Sequence, residues 1–141
     1  MPVQQPSERS AIVAVVNPAN NNNAATNSAA IDMSRFHEAM FVLLLGAVDN
    51  TTDFKLQESV DGSTGWTDIS GKSITQLGSN DDNKQAVINL KSAEMTKRYA
   101  RSVVTNGNGT TNIVAAVALG QRPRTGPASS DNLTSVAQII T

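Results

Sequence analysis

One histidine, no cysteine and twelve acidic residues limit the chemistry open to this 141-residue chain. His37 stands beside Phe36 at the start of an apolar run, where a lone histidine is more often a packed or strand-edge residue than a base or a ligand. Any serine nucleophile would need His37 as its base, so no Ser-His-Asp set can be assembled. Without cysteine there is no thiolate nucleophile, disulfide framework or thiolate metal site. Carboxylates come in pairs at Asp81-Asp82 and at Asp49 and Asp53. Paired carboxylates can hydrolyse glycosides or hold calcium. These lie in turn-rich stretches, where aspartate is favoured for turn geometry alone. Asp61-Gly62-Ser63-Thr64-Gly65 lacks the Gly-Lys-Ser/Thr ending of a phosphate loop and the helix behind it. The only tryptophan, Trp66, follows directly. It could stack on a sugar, but Phe, Trp and Tyr make up 4% of the chain and form no platform, so it reads as a core or loop anchor. Lys97, Arg98 and Arg101 make a small basic cluster near Tyr99, expected to pair with acidic residues on a neighbour rather than to bind nucleic acid. The expectation is therefore a protein with no catalytic residue, no metal and no cofactor, and no small-molecule ligand.

Composition points the same way. A net charge of −1 gives no reason for bulk binding to nucleic acid or an anionic membrane. Charged residues are 16% of the chain, with Asn, Ser, Thr, Ala and Val in their place. That mix suits β-structure with polar loops and a surface committed to contacts. The longest apolar run, Ala39 to Val48, is about half of the roughly 20 residues a membrane helix needs. Ile12 to Val16 is too short for a signal-peptide core, and Glu8 sits just before it.

The elements that would position these residues are strands. We expect an extended N-terminal arm over residues 1–10, a β-sandwich over 11–120 and an extended C-terminal arm over 121–141. Ala11 to Val16 is a β-branched first strand, broken by Asn17-Pro18. Asn17 to Asn27 is an asparagine-rich loop, either an exposed contact loop or a solvated connection. Ala29 to Met33 can form a short strand. Phe36 to Val48 carries a helical stripe at Phe36, Ala39, Met40, Leu43, Leu44 and Ala47. Phe41, Val42, Leu45 and Val48 remove the polar face that a surface helix needs. Among neighbours that are all strands, the segment is expected to be a central strand covered on both faces, with Phe54 to Val60 beside it. Glu58 interrupts the inner row of that second strand, which implies an edge or a bulge. Ser73 to Leu77 and Gln85 to Leu90 are further strands, and Ser92 to Lys97 a helical turn. Tyr99 to Asn106 and Thr111 to Gly120 flank Asn106-Gly107-Asn108-Gly109, which supplies the positive φ of a tight hairpin. In the returning strand Val114, Ala116 and Ala118 form a small apolar face that something is expected to cover. After Gly120 the chain reads as an arm whose apolar end, Leu133, Val136, Ile139 and Ile140, needs a partner surface. Some seven to nine short strands with turns between them make an all-β fold, a jelly-roll-like sandwich of about eight antiparallel strands.

The succession FVLLLGAVDNTTDFKLQES, DGSTGWTDISGKSITQL, DNKQAVINL, KRYARSVVT and NIVAAVALGQRPR resembles the capsid cement, or decoration, proteins of tailed phages and prophages, across roughly Ala11 to Arg124. The resemblance implies a jelly-roll module on the outer surface of a phage head, assembled in the bacterial host cytoplasm. Its partners would be the major capsid protein and further copies of itself, as a dimer or trimer. Contacts are then expected from Val3, Gln4 and Gln5, from Arg122, Pro123 and Arg124, and from Leu133, Val136, Ile139 and Ile140, with Asp61 and Trp66 as a possible loop contact. A carbohydrate-binding sandwich using Trp66 and loop aspartates, or a neck or tail structural protein, would fit the same pattern.

Overall fold

The computed structural model describes residues 3–141; Met1 and Pro2 of the expected arm lie outside the described residues. Nine strands form among them: β1 (Ser10–Asn20), β2 (Ala24–Asn27), β3 (Ile31–Asp32), β4 (Phe36–Val48), β5 (Thr52–Ser59), β6 (Thr67–Ser73), β7 (Gln85–Lys91), β8 (Tyr99–Asn106) and β9 (Asn112–Pro123). One helical turn, α1 (Pro6–Arg9), precedes β1, and 3-10 turns occupy Ser92–Glu94 and Ala128–Asp131. One sheet has the order β1-β9-β4-β7, the other β2-β8-β5-β6 with β3 also paired to β8. Every pairing is antiparallel. With β2 and β3 counted as one interrupted strand on the edge of β8, this is the paired-sheet arrangement of a jelly roll. The all-β sandwich expected from the sequence is what forms.

Alternation sets the core. Phe41, Leu43 and Leu45 of β4 face inward, opposite Phe54 and Leu56 of β5 and Val104 of β8, and all are buried. Each such side chain contributes about 1.5–3 kcal/mol by leaving water. In β1 the consecutive residues Val13 and Ala14 are both buried, and the pairing with β9 shifts register there. A bulge of this kind lets two neighbours face the same side. A second shift spans Pro18, which an edge strand tolerates because proline has no N–H to donate. Gly120 is fixed by close approach: a Cβ there would stand 2.7 Å from the Phe36 ring.

Several local expectations change. Residues 6–9 coil into α1, with Pro6 at its first position and the Glu8 side chain accepting from the Gln5 N–H at 2.7 Å, so the N-terminal arm is not extended throughout. β1 runs through Asn17-Pro18 to Asn20, and most of the supposed loop after it is strand. Ser73 to Leu77 is not a strand; β6 lies earlier, and Leu77 makes one isolated bridge to Thr52. β4 is central, between β9 and β7, but β5 belongs to the other sheet. β8 and β9 are likewise in different sheets, so Asn106 to Gly109 is a crossover and not a hairpin. Its glycines are absent from the positive-φ positions, which include Asn23 and Asn83. They are needed for space, since a Cβ on Gly109 would stand 1.9 Å from the Asp49 carboxylate. β9 also continues through Gln121 to Pro123, inside the expected arm. Glu58 is neither at an edge nor in a bulge that exposes it. It is buried at the end of the inner row and accepts from Thr96 N at 3.0 Å and Thr96 Oγ1 at 2.5 Å.

The connections β1–β2, β4–β5, β6–β7 and β8–β9 meet at one end of the sandwich, and amide side chains knit them. Fully buried Asn112 accepts from the N–H groups of Asp49 and Asn50, each at 3.2 Å. Its Nδ2 donates to Asn22 Oδ1 at 2.7 Å, and its own N–H donates to Asn20 Oδ1 at 2.8 Å. Asn106 donates to Thr52 Oγ1 at 2.8 Å and accepts from Asn21 Nδ2 at 3.0 Å. The asparagine-rich stretch is therefore not a merely solvated connection but part of the structural lock. Asn112→Ala removes four side-chain hydrogen bonds and strands the Asn50 N–H, while the Asp49 N–H keeps Thr111 O, and should lower unfolding free energy by about 2–4 kcal/mol. Urea unfolding at neutral pH measures this; an unchanged midpoint would contradict the lock.

Candidate functional site

The opposite end of the sandwich gathers the starts of β1, β4 and β8 and the ends of β5 and β9. Here the chain forms an open groove of about 700 Å³. Gln4, Glu8 and Arg9 line it from the N-terminal side, His37 and Glu38 from β4, and Gln121, Arg122 and Pro123 from β9. Three of the contact residues expected from sequence, Gln4, Arg122 and Pro123, are thus brought together. His37, which the sequence reading set aside, lies among them. Val3 is fully exposed just before the groove, and Gln5 is exposed beside it. Arg122 has φ 52°, a left-handed conformation uncommon for a residue with a Cβ. Arg124 is exposed but tethered: its N–H donates to Arg35 O at 2.9 Å and its guanidinium to Ser92 Oγ at 3.0 Å.

Asp61 and Trp66 sit at this end too, on the β5–β6 connection. Asp61 is occupied by its own loop, accepting from Thr64 N and Ser63 N, each at 2.9 Å, from Thr64 Oγ1 at 2.8 Å and from Ser59 Oγ at 3.1 Å. Those donors, the Thr64 N–H first, hold its pKa well below the usual carboxylate range. Trp66 is half-buried, with the Arg101 guanidinium 4.3 Å above its ring. Arg101 also donates to Gln57 Oε1 at 3.0 and 2.8 Å. Arg98 forms a two-pronged pair with Asp32 at 3.0 and 2.8 Å, and Lys97 Nζ donates to Thr67 Oγ1 at 2.8 Å. Within the chain, then, Arg98 of the basic cluster pairs with an acid, while Lys97 and Arg101 bond neutral acceptors. Among the described residues no three His, Cys, Asp or Glu side chains could hold a metal together.

The C-terminal segment folds back before it departs. Ala128 is buried, and Asp131 pairs with Arg35. Asn132 Oδ1 accepts from Ile12 N at 2.7 Å, and Leu133 N donates to Ile12 O at 2.9 Å, so the open edge of β1 is covered here. Leu133 and Val136 are half-buried. Beyond them Ile139 is 45% and Ile140 86% exposed.

A second surface is the outer face of the β1-β9-β4-β7 sheet. Met40, Val42 and Leu44 point outward from β4, in register with Leu119, Val117 and Ala115 of β9. Val87 of β7 lies opposite Val42, and Val15 of β1 opposite Val117. Leu44 is 45% and Val87 52% exposed, so the expectation that β4 is covered on both faces fails. On β9 the face of Val114, Ala116 and Ala118, expected to be covered, packs in the core, while Ile113, Ala115, Val117 and Leu119 face out. The signal for this surface was present in a strand apolar on both sides.

No protein-family model matches the chain, and no curated protein matches it. Its fold is shared with a solved structure. The PBSX exported protein XepA superposes with a TM-score of 0.56 over 99% of this chain at 16% identity; this chain spans 46% of that chain's length. A structure described as "CBM4 structure and function" gives 0.48 over 80% of this chain and 71% of its own, at 14% identity. A Bacillus endospore appendage, from a family of disulfide-linked pili, gives 0.49 over 86% and 98% at 12% identity. The likeness to XepA is one of fold.

The anchored carboxylates make acid stability a test of this end of the sandwich. Asp32 is held low chiefly by its hydrogen bond from Arg98, and Asp61 by its loop amides. A folded-state pKa below the unfolded value contributes stability that is present above the unfolded value and lost as pH falls through the folded one. The melting temperature should therefore hold from neutral pH to about 5 and fall progressively below about 4. Asp32→Asn should be less stable than wild type at pH 7 and converge on it in acid. Thermal melts across pH 2–7 measure this, and a constant gap between the two proteins would contradict it.

Proposed function

We propose that this protein is a structural component of a tailed-phage head, a cement protein that binds the outer surface of the shell and bridges neighbouring major capsid proteins. The observation that carries the proposal is the division of the jelly roll into one internally locked end and one end where the N-terminal segment, Arg122 and Pro123 border an open groove. A cement protein requires a stiff module and contact surfaces, not a reaction centre. The Asp61 carboxylate and the basic cluster are occupied within the chain, which supports binding rather than catalysis. The resemblance in strand succession supports the same assignment, and so does a fold shared with the PBSX exported protein XepA.

On this proposal Val3, Gln4 and Gln5, with Arg122 and Pro123, meet the shell. Each contact is modest, and the symmetric lattice multiplies them. An interface of ordinary size removes about 800 Å² per partner from water. Purified protein added to heads that lack a decoration protein should sediment with them and raise the temperature at which they release DNA. Arg122→Glu with Gln4→Glu should weaken binding by about tenfold or more while leaving the fold unchanged. Heads that neither bind the protein nor gain heat tolerance would overturn the proposal.

A further inference from the structure

The outer face of the β1-β9-β4-β7 sheet and the end of the chain are two exposed apolar features, and the core uses neither. Val42 has Val117 and Val87 as cross-strand neighbours, Leu44 has Ala115 and Gln85, and Met40 has Leu119 and Asn89. No charge stands in those rows, so the face offers an approaching apolar segment no like charge and no ion to desolvate. Ile139 and Ile140 meanwhile remain exposed on their own domain.

We propose that this face receives the C-terminal segment of a second copy of the same chain, with Ile139 and Ile140 seated on Val42, Leu44 and Val87. Reach supports the exchange. The segment is tied to the edge of this same sheet by the Leu133 N–H on Ile12 O. From Leu133 to Thr141 an extended chain reaches about 26 Å. Four strands spaced about 4.8 Å apart span only about 14 Å between their outer axes. The segment is therefore long enough to leave its own sheet and lie across another. Area supports it as well. A face three rows deep and four strands wide offers about 400 Å², half of the roughly 800 Å² per partner in a stable complex. Two bare faces pressed together fall short of that figure. Two copies exchanging segments bury both the face and the isoleucines of each, and a closed exchange leaves no segment unseated.

The test uses the full chain without capsid protein, so its failure leaves the shell-binding proposal untouched, and failure on heads leaves this one untouched. Sedimentation across a concentration series should show wild type associating. A face variant, Leu44→Lys with Val87→Lys, and a tail variant, Ile139→Ser with Ile140→Ser, should each shift the association midpoint at least about tenfold higher. Both alter solvent-facing side chains, and circular dichroism melts should match wild type. A mixture of the two variants retains one intact tail and one intact face, and should yield a one-to-one complex that neither forms alone. A wild-type protein that is monomeric throughout, a variant that associates as wild type does, or a mixture that forms no complex would each overturn the exchange.

Discussion

Asn112 does what a jelly roll demands at the places where its chain changes sheets. Each crossover lifts backbone out of one ladder before it enters the next, and the N–H groups in between need acceptors that no strand supplies. At one end of this sandwich four crossovers meet, and a single buried amide accepts from Asp49 and Asn50 while donating to Asn22. An asparagine suits this because its side chain carries both acceptor and donor; an aspartate would offer no donor and a leucine neither. The Asp49 carboxylate completes the arrangement by accepting from Thr110 N and Oγ1 and from Thr111 N. Gly109 keeps the space that this carboxylate fills. Among the described residues no buried side-chain nitrogen or oxygen is left without a partner.

A locked end lets the sheets themselves carry exposed apolar surface. The inner rows of β4, β5 and β9 hold the layers together, so the outer row Met40, Val42 and Leu44 is free of that task. Covering the face of about 400 Å², which is apolar apart from Gln85 and Asn89, yields less than about 10 kcal/mol. Association itself costs about 4–15 kcal/mol in lost freedom. The face alone therefore sits near balance. Two added isoleucines per copy, at about 1.5–3 kcal/mol each when buried, are enough to decide the outcome.

Strand identity was legible in the sequence, but sheet membership was not. Period-two alternation in the sequence puts Phe54 and Leu56 on one face, and Ala86, Ile88 and Leu90 on one face, as the structure has them, because side-chain direction is a local property. Which strands pair is not local. Asn106-Gly107-Asn108-Gly109 carries the residues of a tight hairpin, yet the chain crosses there from β8 to β9 in the other sheet. The glycines serve close approach to Asp49–Thr51, a contact between turns remote in sequence. The asparagines of residues 20–23 were equally opaque. Their composition signals turns, but their partners, Asn106, Thr110 and Asn112, lie 85 to 90 residues away in the chain. At the candidate contact end, Gln4, Arg122 and Pro123 were legible as arm residues. That they border one groove with His37 follows from Ser10 pairing with Gln121 and Glu38 with Gln121, a register fixed by the whole sheet.

The two proposed surfaces are neighbours, and this bears on how one small module could do two things. Glu38 and Gln121 border the groove and, by the alternation of β4 and β9, lie on the same outward side as Met40 and Leu119, so the apolar face begins one row further along. The segment proposed to reach a second copy is tied to β1, the edge strand of the very sheet whose face would receive its counterpart. Anchoring Asn132 and Leu133 on Ile12 shields the β1 edge against uncontrolled strand addition. Beyond that anchor Ile139 and Ile140 are exposed. One short stretch of chain thus closes an edge within its own copy and, on the proposed exchange, carries an apolar end toward the next.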